Sequence, residues 1–262
     1  REEGLIEMRK LYSLNAPYDG LGQQFRLTPL EEWGANYSAF VTGIDSREDY
    51  ERLFSGYDEG KYHRALLHSL YGQSSKILVL GAGNGLSDYD FYTAYPDKEI
   101  SLSDISDGVL RKISPFYGFR AMKIDSRNIT LPDGSHDLVY TLASEYFFSD
   151  SDYLRMLSEA ARVLKPGGHL LVSTVCLEEP RKATLKGSVL GVISERPLLW
   201  VLVNKLRGIN LKWTGYIRSL DDHAGVLSRV DGLKLERVEL DYGSTGGKLK
   251  STAFLLRKRY GS

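Results

Sequence analysis

The sequence predicts a doubly wound α/β fold: a mostly parallel seven-stranded sheet with a C-terminal antiparallel hairpin and a helical cap or insertion. Three observations predict it. A short apolar run, Lys76-Ile-Leu-Val-Leu80, leads directly into Gly81-Ala-Gly-Asn-Gly85, the pattern of a buried strand turning into a helix. Strand-like and helix-like patterns then alternate as far as Val175, which calls for parallel strands and right-handed crossovers. Near the end, Leu233–Tyr242 and Lys250–Arg257 read as two strands joined through Gly243-Ser-Thr-Gly-Gly247.

Residues 1–70 are rich in Tyr, Gly and charge, with helices expected over Glu2–Leu14 and Lys61–Leu70. In the second of these, Tyr62, Ala65, Leu66 and Ser69/Leu70 recur at spacings of three and four. The main domain is expected over residues 71–262. After the first strand come Glu99–Ser103, Arg120–Ile124, Asp137–Thr141 and His169–Val175 as further strands. Between the last two, Leu154, Leu157, Ala160/Ala161 and Leu164 mark one face of a helix over Ser151–Leu164, with Asp150 or Ser151 placed to cap it. Lys165-Pro-Gly-Gly168 is expected to stop that helix. Residues 177–218 form an insertion before a late helix that begins Ser219-Leu-Asp-Asp-His223.

Composition narrows the function. With 262 residues, 42% hydrophobic and 26% charged, the chain suits one α/β domain with an added segment. Lys+Arg and Asp+Glu are both 34, so the basic excess common in proteins that track nucleic acid is absent, and no nucleic-acid partner is expected. The single cysteine, Cys176, cannot form an intrachain disulfide or a multi-Cys metal site. No metal is expected. The reduced cysteine, the lack of an apolar leader after Arg1 and the lack of a membrane-length apolar run lead to the expectation of a cytoplasmic protein.

The chemistry starts at Gly81-Ala82-Gly83-Asn84-Gly85. Glycines at a strand-to-helix turn allow close backbone approach to a ligand, and the following helix offers free N–H groups. A dinucleotide fingerprint would need glycine where Leu86 stands, and the Lys-Ser/Thr ending of a phosphate loop is missing. Asp104 ends the second strand about 20 residues further on, where a carboxylate can accept both hydroxyls of a ribose. The glycine turn alone is a common structural device, and an Asp alone is a common cap. Together, at this spacing, they indicate a nucleoside.

On these residues the chain resembles the class I S-adenosylmethionine-dependent methyltransferases, over roughly Tyr57 to Arg259. The matching pieces are Ile77–Gly85, Ser103-Asp-Ile-Ser106, Lys123-Ile-Asp-Ser126, Leu131-Pro-Asp-Gly-Ser-His-Asp-Leu-Val139 and Glu159–Leu170, which contains Arg162-Val-Leu-Lys-Pro-Gly-Gly168. The last two look like the small-molecule branch of that family. The resemblance implies S-adenosylmethionine as cofactor, with its methionine end at Gly81–Gly85 and lined by Thr141, Leu142 and Ala143. It implies Asp104 on the ribose, Ile105 against the adenine, Asp125 accepting from the adenine amino group, and the Ser126 backbone beside it.

Two positions depart from the pattern. Val79 stands where the family usually carries an acid, and Glu145, Tyr146 and Phe147 follow the fourth strand where related chains often have histidines. An acceptor that must lose a proton needs a base. Glu145, Tyr146 and His223 are the candidates, although His223 also reads as a surface residue in a first helical turn. His136 reads as a turn residue, and Cys176 as packed at a strand end.

Acceptor choice is expected in two regions: the N-terminal segment, with Tyr12, Tyr18, Phe25, Trp33, Tyr37 and Phe40, as part of a substrate lid, and the insertion 177–218. Residues 188–207 of the insertion could pack as a helical cap, form an interface or contact a membrane surface. The expected activity is methylation of oxygen or nitrogen on a small-molecule or glycan acceptor. The alternatives are a cofactor-binding partner without catalysis and a nucleic-acid methyltransferase.

Overall fold

The computed structural model describes Ser38 and residues 41–54, 63–177, 218–241 and 249–260. The expected helix over Glu2–Leu14, the six aromatic residues of the N-terminal segment, the interior of the insertion and its 188–207 stretch lie outside the described residues.

The described elements run α1 (Arg47–Phe54), α2 (Arg64–Gln73), β1 (Lys76–Leu80), α3 (Leu86–Ala94), β2 (Glu99–Asp104), α4 (Asp107–Tyr117), β3 (Arg120–Lys123), β4 (His136–Leu142), α5 (Asp150–Val163), β5 (Leu164–Leu177), α6 (Leu220–Leu227), β6 (Leu233–Asp241) and β7 (Leu249–Lys258). They build a seven-stranded sheet in the order β3-β2-β1-β4-β5-β7-β6. The first five strands are parallel, while β7 runs antiparallel to both β5 and β6. The expected doubly wound sheet and C-terminal hairpin are both present.

Both faces of the sheet are covered, which is why β1 reads as an unbroken apolar run. Ile77 and Val79 point into a core shared with α1 to α4, including Tyr50, Tyr71, Phe91 and Ile113. Leu78 and Leu80 point the other way, toward Tyr153, Met156 and Leu157 of α5 and Val226 of α6. Each such side chain, fully buried, contributes about 1.5–3 kcal/mol. The division expected at residue 70 falls inside α2, whose Leu66, Leu67, Leu70 and Tyr71 all enter the first core. α1 adds Tyr50 and Phe54 to it, so residues 41–54 and 63–73 pack as part of the sheet domain.

Several boundaries differ from the sequence reading for local reasons. The side chain that caps α5 is Ser149, which accepts from Asp152 N–H, in place of Asp150 or Ser151. α5 ends at Val163, just ahead of Lys165-Pro-Gly-Gly168 as expected, but β5 starts earlier than the expected His169, so this stretch opens the strand and the β4–β5 register shifts between His136 and Leu138. β4 begins at His136, so this residue is a buried strand position and not a turn residue. Burial holds its imidazole down at about 4. Among the described residues, no helix is long and apolar enough to cross a membrane.

Candidate functional site

The strand order reverses between β1 and β4: from β1 the chain steps outward to β2 and β3, then returns to build β4 on the other side. Loops leaving the C-terminal ends of these two strands diverge to opposite faces, and the crevice between them is where open α/β sheets take ligands. The Gly81–Gly85 turn, Asp104, Asp125 and the Thr141–Glu145 stretch all emerge there.

Backbone bonds hold these pieces together. Ala82 N–H donates to Ser103 O (2.8 Å), joining the glycine turn to β2, and Ile124 N–H donates to Asp104 O (3.2 Å), joining β2 to the segment carrying Asp125. Gly81, Gly83 and Gly85 all have left-handed backbones, with φ of +65°, +54° and +71°. Gly81 needs its missing side chain for a second reason: a Cβ there would stand 2.9 Å from Ser144 Cβ. A Cβ on Gly83 would meet nothing within 4 Å among the described residues, so this part of the turn is open on their side. Asn84 Oδ1 accepts from Leu86 N–H (2.9 Å) at the start of α3, and Tyr50 Oη of α1 donates to Asn84 O (3.1 Å).

Asp104 is buried and fastens two loops at once. Its Oδ2 accepts from Gly83 N–H (3.0 Å) and its Oδ1 from Ser106 N–H (2.8 Å), at the entrance to α4. Burial raises the carboxyl to about 6, opposed by backbone N–H groups of Ser106, Gly83 and Ile105. Each oxygen keeps a second lone pair for a hydroxyl. Ile105 is half-buried beside it. Ser38 reaches the same spot from the N-terminal segment: its Oγ accepts from Gly108 N–H (2.8 Å) and lies 2.7 Å from Ser106 Oγ.

Asp125 and Ser126 are half-buried at the next strand end. Arg127 holds the Asp125 carboxylate through Nε (3.0 Å to Oδ1) and Nη2 (2.8 Å to Oδ2), and its N–H donates to Oδ1 (2.9 Å). Burial pushes this carboxyl up, but Arg127, with help from Arg155, brings it below the usual value. An adenine amino group would therefore share Asp125 with Arg127.

Past β4, Leu142 is buried and Ala143 takes a left-handed backbone, φ +51°, which strains a residue with a Cβ. Ala143 N–H donates to Ser173 O (2.8 Å), fixing the bend. Ser144 and Thr141 hydroxyls bond each other beneath the glycine turn. A 3-10 turn over Glu145–Phe147 follows; the Tyr146 side chain lies outside the described residues.

Glu145 is buried, with Oε1 accepting from the Thr174 hydroxyl and Oε2 lacking a hydrogen-bond partner among the described residues. Burial raises it to about 7, against the Thr174 bond and the charge of Arg218. Arg218 donates to Phe148 O (2.7 Å) and pairs with Asp150 (2.9 Å), bracing the loop from below. His223 is not on the surface. Its helix, begun by the Ser219–Asp222 capping box, turns it inward, where its ring lies against Phe254 and its Nδ1 is 3.3 Å from Tyr153 Oη. Burial, then Arg218, holds its imidazole well below the ordinary value, so it is neutral. Cys176 is buried with Sγ 2.7 Å from Thr252 Oγ1, in keeping with a packing role.

The crevice thus offers a left-handed glycine turn with an open face, a carboxylate at ribose height and a second carboxylate one strand further out. This donor and acceptor set suits a nucleoside. The sequence reading missed Ser38, Tyr50 and Ser144, which shape the site through contacts distant in sequence.

Residues 77–168 match the model of a methyltransferase domain family. The malonyl-[acyl-carrier protein] O-methyltransferase of Methylococcus capsulatus is 30% identical over 155 residues, covering 57% of this chain and 54% of that one. A demethylmenaquinone methyltransferase of Chlamydia trachomatis is 34% identical over 123 residues, covering 45% and 50%. The chain spans about half the length of these curated relatives. Among solved structures, the N-methyltransferase NodS of Bradyrhizobium japonicum, in complex with S-adenosyl-L-homocysteine, superposes with a TM-score of 0.57 at 12% identity, covering 87% of this chain and 99% of that one.

Proposed function

Starting from the premise that residues 77–168 form a class I S-adenosylmethionine-dependent methyltransferase domain, we propose that the protein transfers the methyl group of S-adenosylmethionine to a small-molecule or glycan acceptor, on oxygen or nitrogen. The observation that carries this reading is Asp104, a buried carboxylate tied to both the glycine turn and the α4 entrance at the strand-order reversal. The names of the relatives support a small acceptor, since they act on malonyl-[acyl-carrier protein] and demethylmenaquinone.

The cofactor supplies a methyl group already activated on a sulfonium. The residues have to bind, align and exclude water. Asp104 accepts the two ribose hydroxyls, and Ile105 covers one adenine face. Asp125 and the Ser126 N–H read the adenine edge. The Gly81–Gly85 backbone and Leu142–Ala143 enclose the methionine end. Where the acceptor has a proton to lose, Glu145 takes it: its carboxyl is poised near neutrality and its Oε2 has no other partner among the described residues. Neutral His223, enclosed by Tyr153 and Phe254, is the weaker base.

Calorimetric titration with S-adenosylmethionine and S-adenosylhomocysteine tests the cofactor, and failure of both to bind refutes the reading. Incubation with methyl-labelled cofactor and a fractionated extract tests transfer. Label is expected in a small-molecule fraction; label confined to RNA or DNA would overturn the acceptor class.

Gly83→Ala gives a sharper check. The left-handed backbone costs about 1–2 kcal/mol, or roughly 2–8 °C in Tm. Its new Cβ points into the open face of the turn. Homocysteine-nucleoside affinity should fall by about tenfold or more, well beyond what the melting curve accounts for. Equal affinity would place the ligand away from this turn.

A further inference from the structure

Asp88, in the first turn of α3, is 2% exposed, and nothing in the proposed chemistry uses it. Its N–H donates to Gly85 O (3.2 Å), the first-turn bond of α3, so its backbone follows directly on the glycine turn. Its Oδ1 accepts from Tyr140 Oη (2.5 Å), and Tyr140 Oη lies 2.9 Å from Tyr71 Oη. Tyr140 is the β4 register partner of Val79 on β1. The Asp88 carboxylate therefore sits at the end of a tyrosine side chain whose backbone is paired with the strand position that carries valine.

A neutral amide would satisfy Tyr140 equally well, so hydrogen bonding alone does not call for an acid there. Burying a charge is costly unless something offsets it. The groups facing Asp88 are Tyr140 from β4 and Tyr71 from α2, with Tyr95 beyond Tyr71. Among the described residues of α2, Arg64 is engaged by Asp90 at the surface and His68 lies against Phe91 and Tyr95, so neither is paired with Asp88. Burial raises the carboxyl to about 7, opposed by the Tyr140 bond. The positive end of α3 gives partial compensation. What would complete it is a cation on the other side of the glycine turn.

We propose that Asp88 is a specificity-determining residue whose buried charge favours the cationic sulfonium cofactor over its neutral thioether product. This rests on the cofactor reading above. Methyl transfer removes the positive charge, so a carboxylate behind the turn holds the cofactor before the reaction and releases the product after it. Because the sulfonium charge is already dispersing in the transition state, Asp88 holds the bound cofactor more strongly than the transition state, so Asp88→Asn should raise KM and leave kcat equal or higher.

The test is calorimetry on the full chain with S-adenosylmethionine and S-adenosylhomocysteine at pH 7.5. Asp88→Asn should weaken S-adenosylmethionine about tenfold and leave S-adenosylhomocysteine unchanged. In buffers of differing ionisation enthalpy near pH 7, S-adenosylmethionine should release a larger fraction of a proton from the parent protein than S-adenosylhomocysteine does. S-adenosylhomocysteine should release only the fraction that both compounds share through Asp104, and the excess seen with S-adenosylmethionine should vanish in Asp88→Asn. Should Asp88→Asn fail to fold, Tyr140→Phe carries the test: the preference should be lost at pH 7 and return at pH 8.5, once Asp88 ionises without its donor. An unchanged ratio of the two affinities, or equal weakening of both, overturns the inference while cofactor binding stands. If the parent protein binds neither compound, the cofactor reading itself has failed.

Discussion

Asp104→Ala is expected to bind S-adenosylhomocysteine at least about a hundredfold more weakly than the parent protein. Two ribose hydroxyls donating to a carboxylate are each worth about 1.5–3 kcal/mol, because one partner is charged. The substitution also frees Gly83 N–H and Ser106 N–H, loosening the turn against α4. Fold stability should move much less. The lost backbone bonds are offset by removing a buried carboxyl that is raised to about 6 and therefore opposes folding at neutral pH. Asp104→Asn separates charge from shape: it keeps one acceptor, and its affinity should fall between the two. Titration calorimetry with a parallel thermal melt measures both quantities. Unchanged affinity in the alanine variant would remove Asp104 from the ribose and the site from this crevice.

Glu145→Gln should lower turnover by about 10²–10⁴-fold on an acceptor that must lose a proton, with S-adenosylhomocysteine affinity unaltered. The same variant should change how stability responds to pH. The folded carboxyl sits at about 7 against an ordinary 4.5, so between these values the native state binds more protons than the unfolded chain. Stability from this group is fully present below about 4.5 and is lost as pH rises through 7, on the order of 3 kcal/mol in all. Glutamine does not titrate. Urea unfolding at pH 4.5 and pH 8 should show the variant losing less stability than the parent over that interval, by up to that amount. Asp88, also raised to about 7, keeps its own loss of the same sign in both proteins. A parallel decline in parent and variant would mean that Glu145 is not buried as a charge, and undiminished transfer would mean that it is not the base.

Much of the sheet was readable because strands buried on both faces leave apolar runs such as Lys76–Leu80, and a hairpin leaves a Gly-rich gap between two such runs. α3 was not individually readable. Its sequence, Leu-Ser-Asp-Tyr-Asp-Phe-Tyr-Thr-Ala, turns a charged residue inward at Asp88, which hides the helical period. An acid in a first turn ordinarily signals a solvated cap, so nothing in the sequence marks Asp88 as buried. The two histidine readings failed for related reasons. His136 was placed in a turn because β4 starts one residue before its apolar run, and His223 was placed outside because a capping box fixes where a helix begins but not which way it faces. The residues proposed for the cofactor follow one another along the chain in the order of the strand ends that carry them, which is why the sequence could point to one crevice. Contacts such as Tyr50 to Asn84, or Ser38 to Gly108, join distant segments and leave no local spacing to read.

The seam between β1 and β4 lies wholly inside the part of the chain that matches the methyltransferase domain family. The family-matched stretch spans β1 to the opening of β5, and so contains every element leading to and from that seam. The hairpin strand β7 is zipped to β5 along its whole length, yet lies outside that stretch. A graft that exchanges the chain beyond Gly168 for that of a relative would thus keep the glycine turn, Asp104 and Asp125, and replace the Ser173 and Thr174 groups that hold Ala143 and Glu145. Chimeras cut at this point should keep their cofactor and change what they methylate.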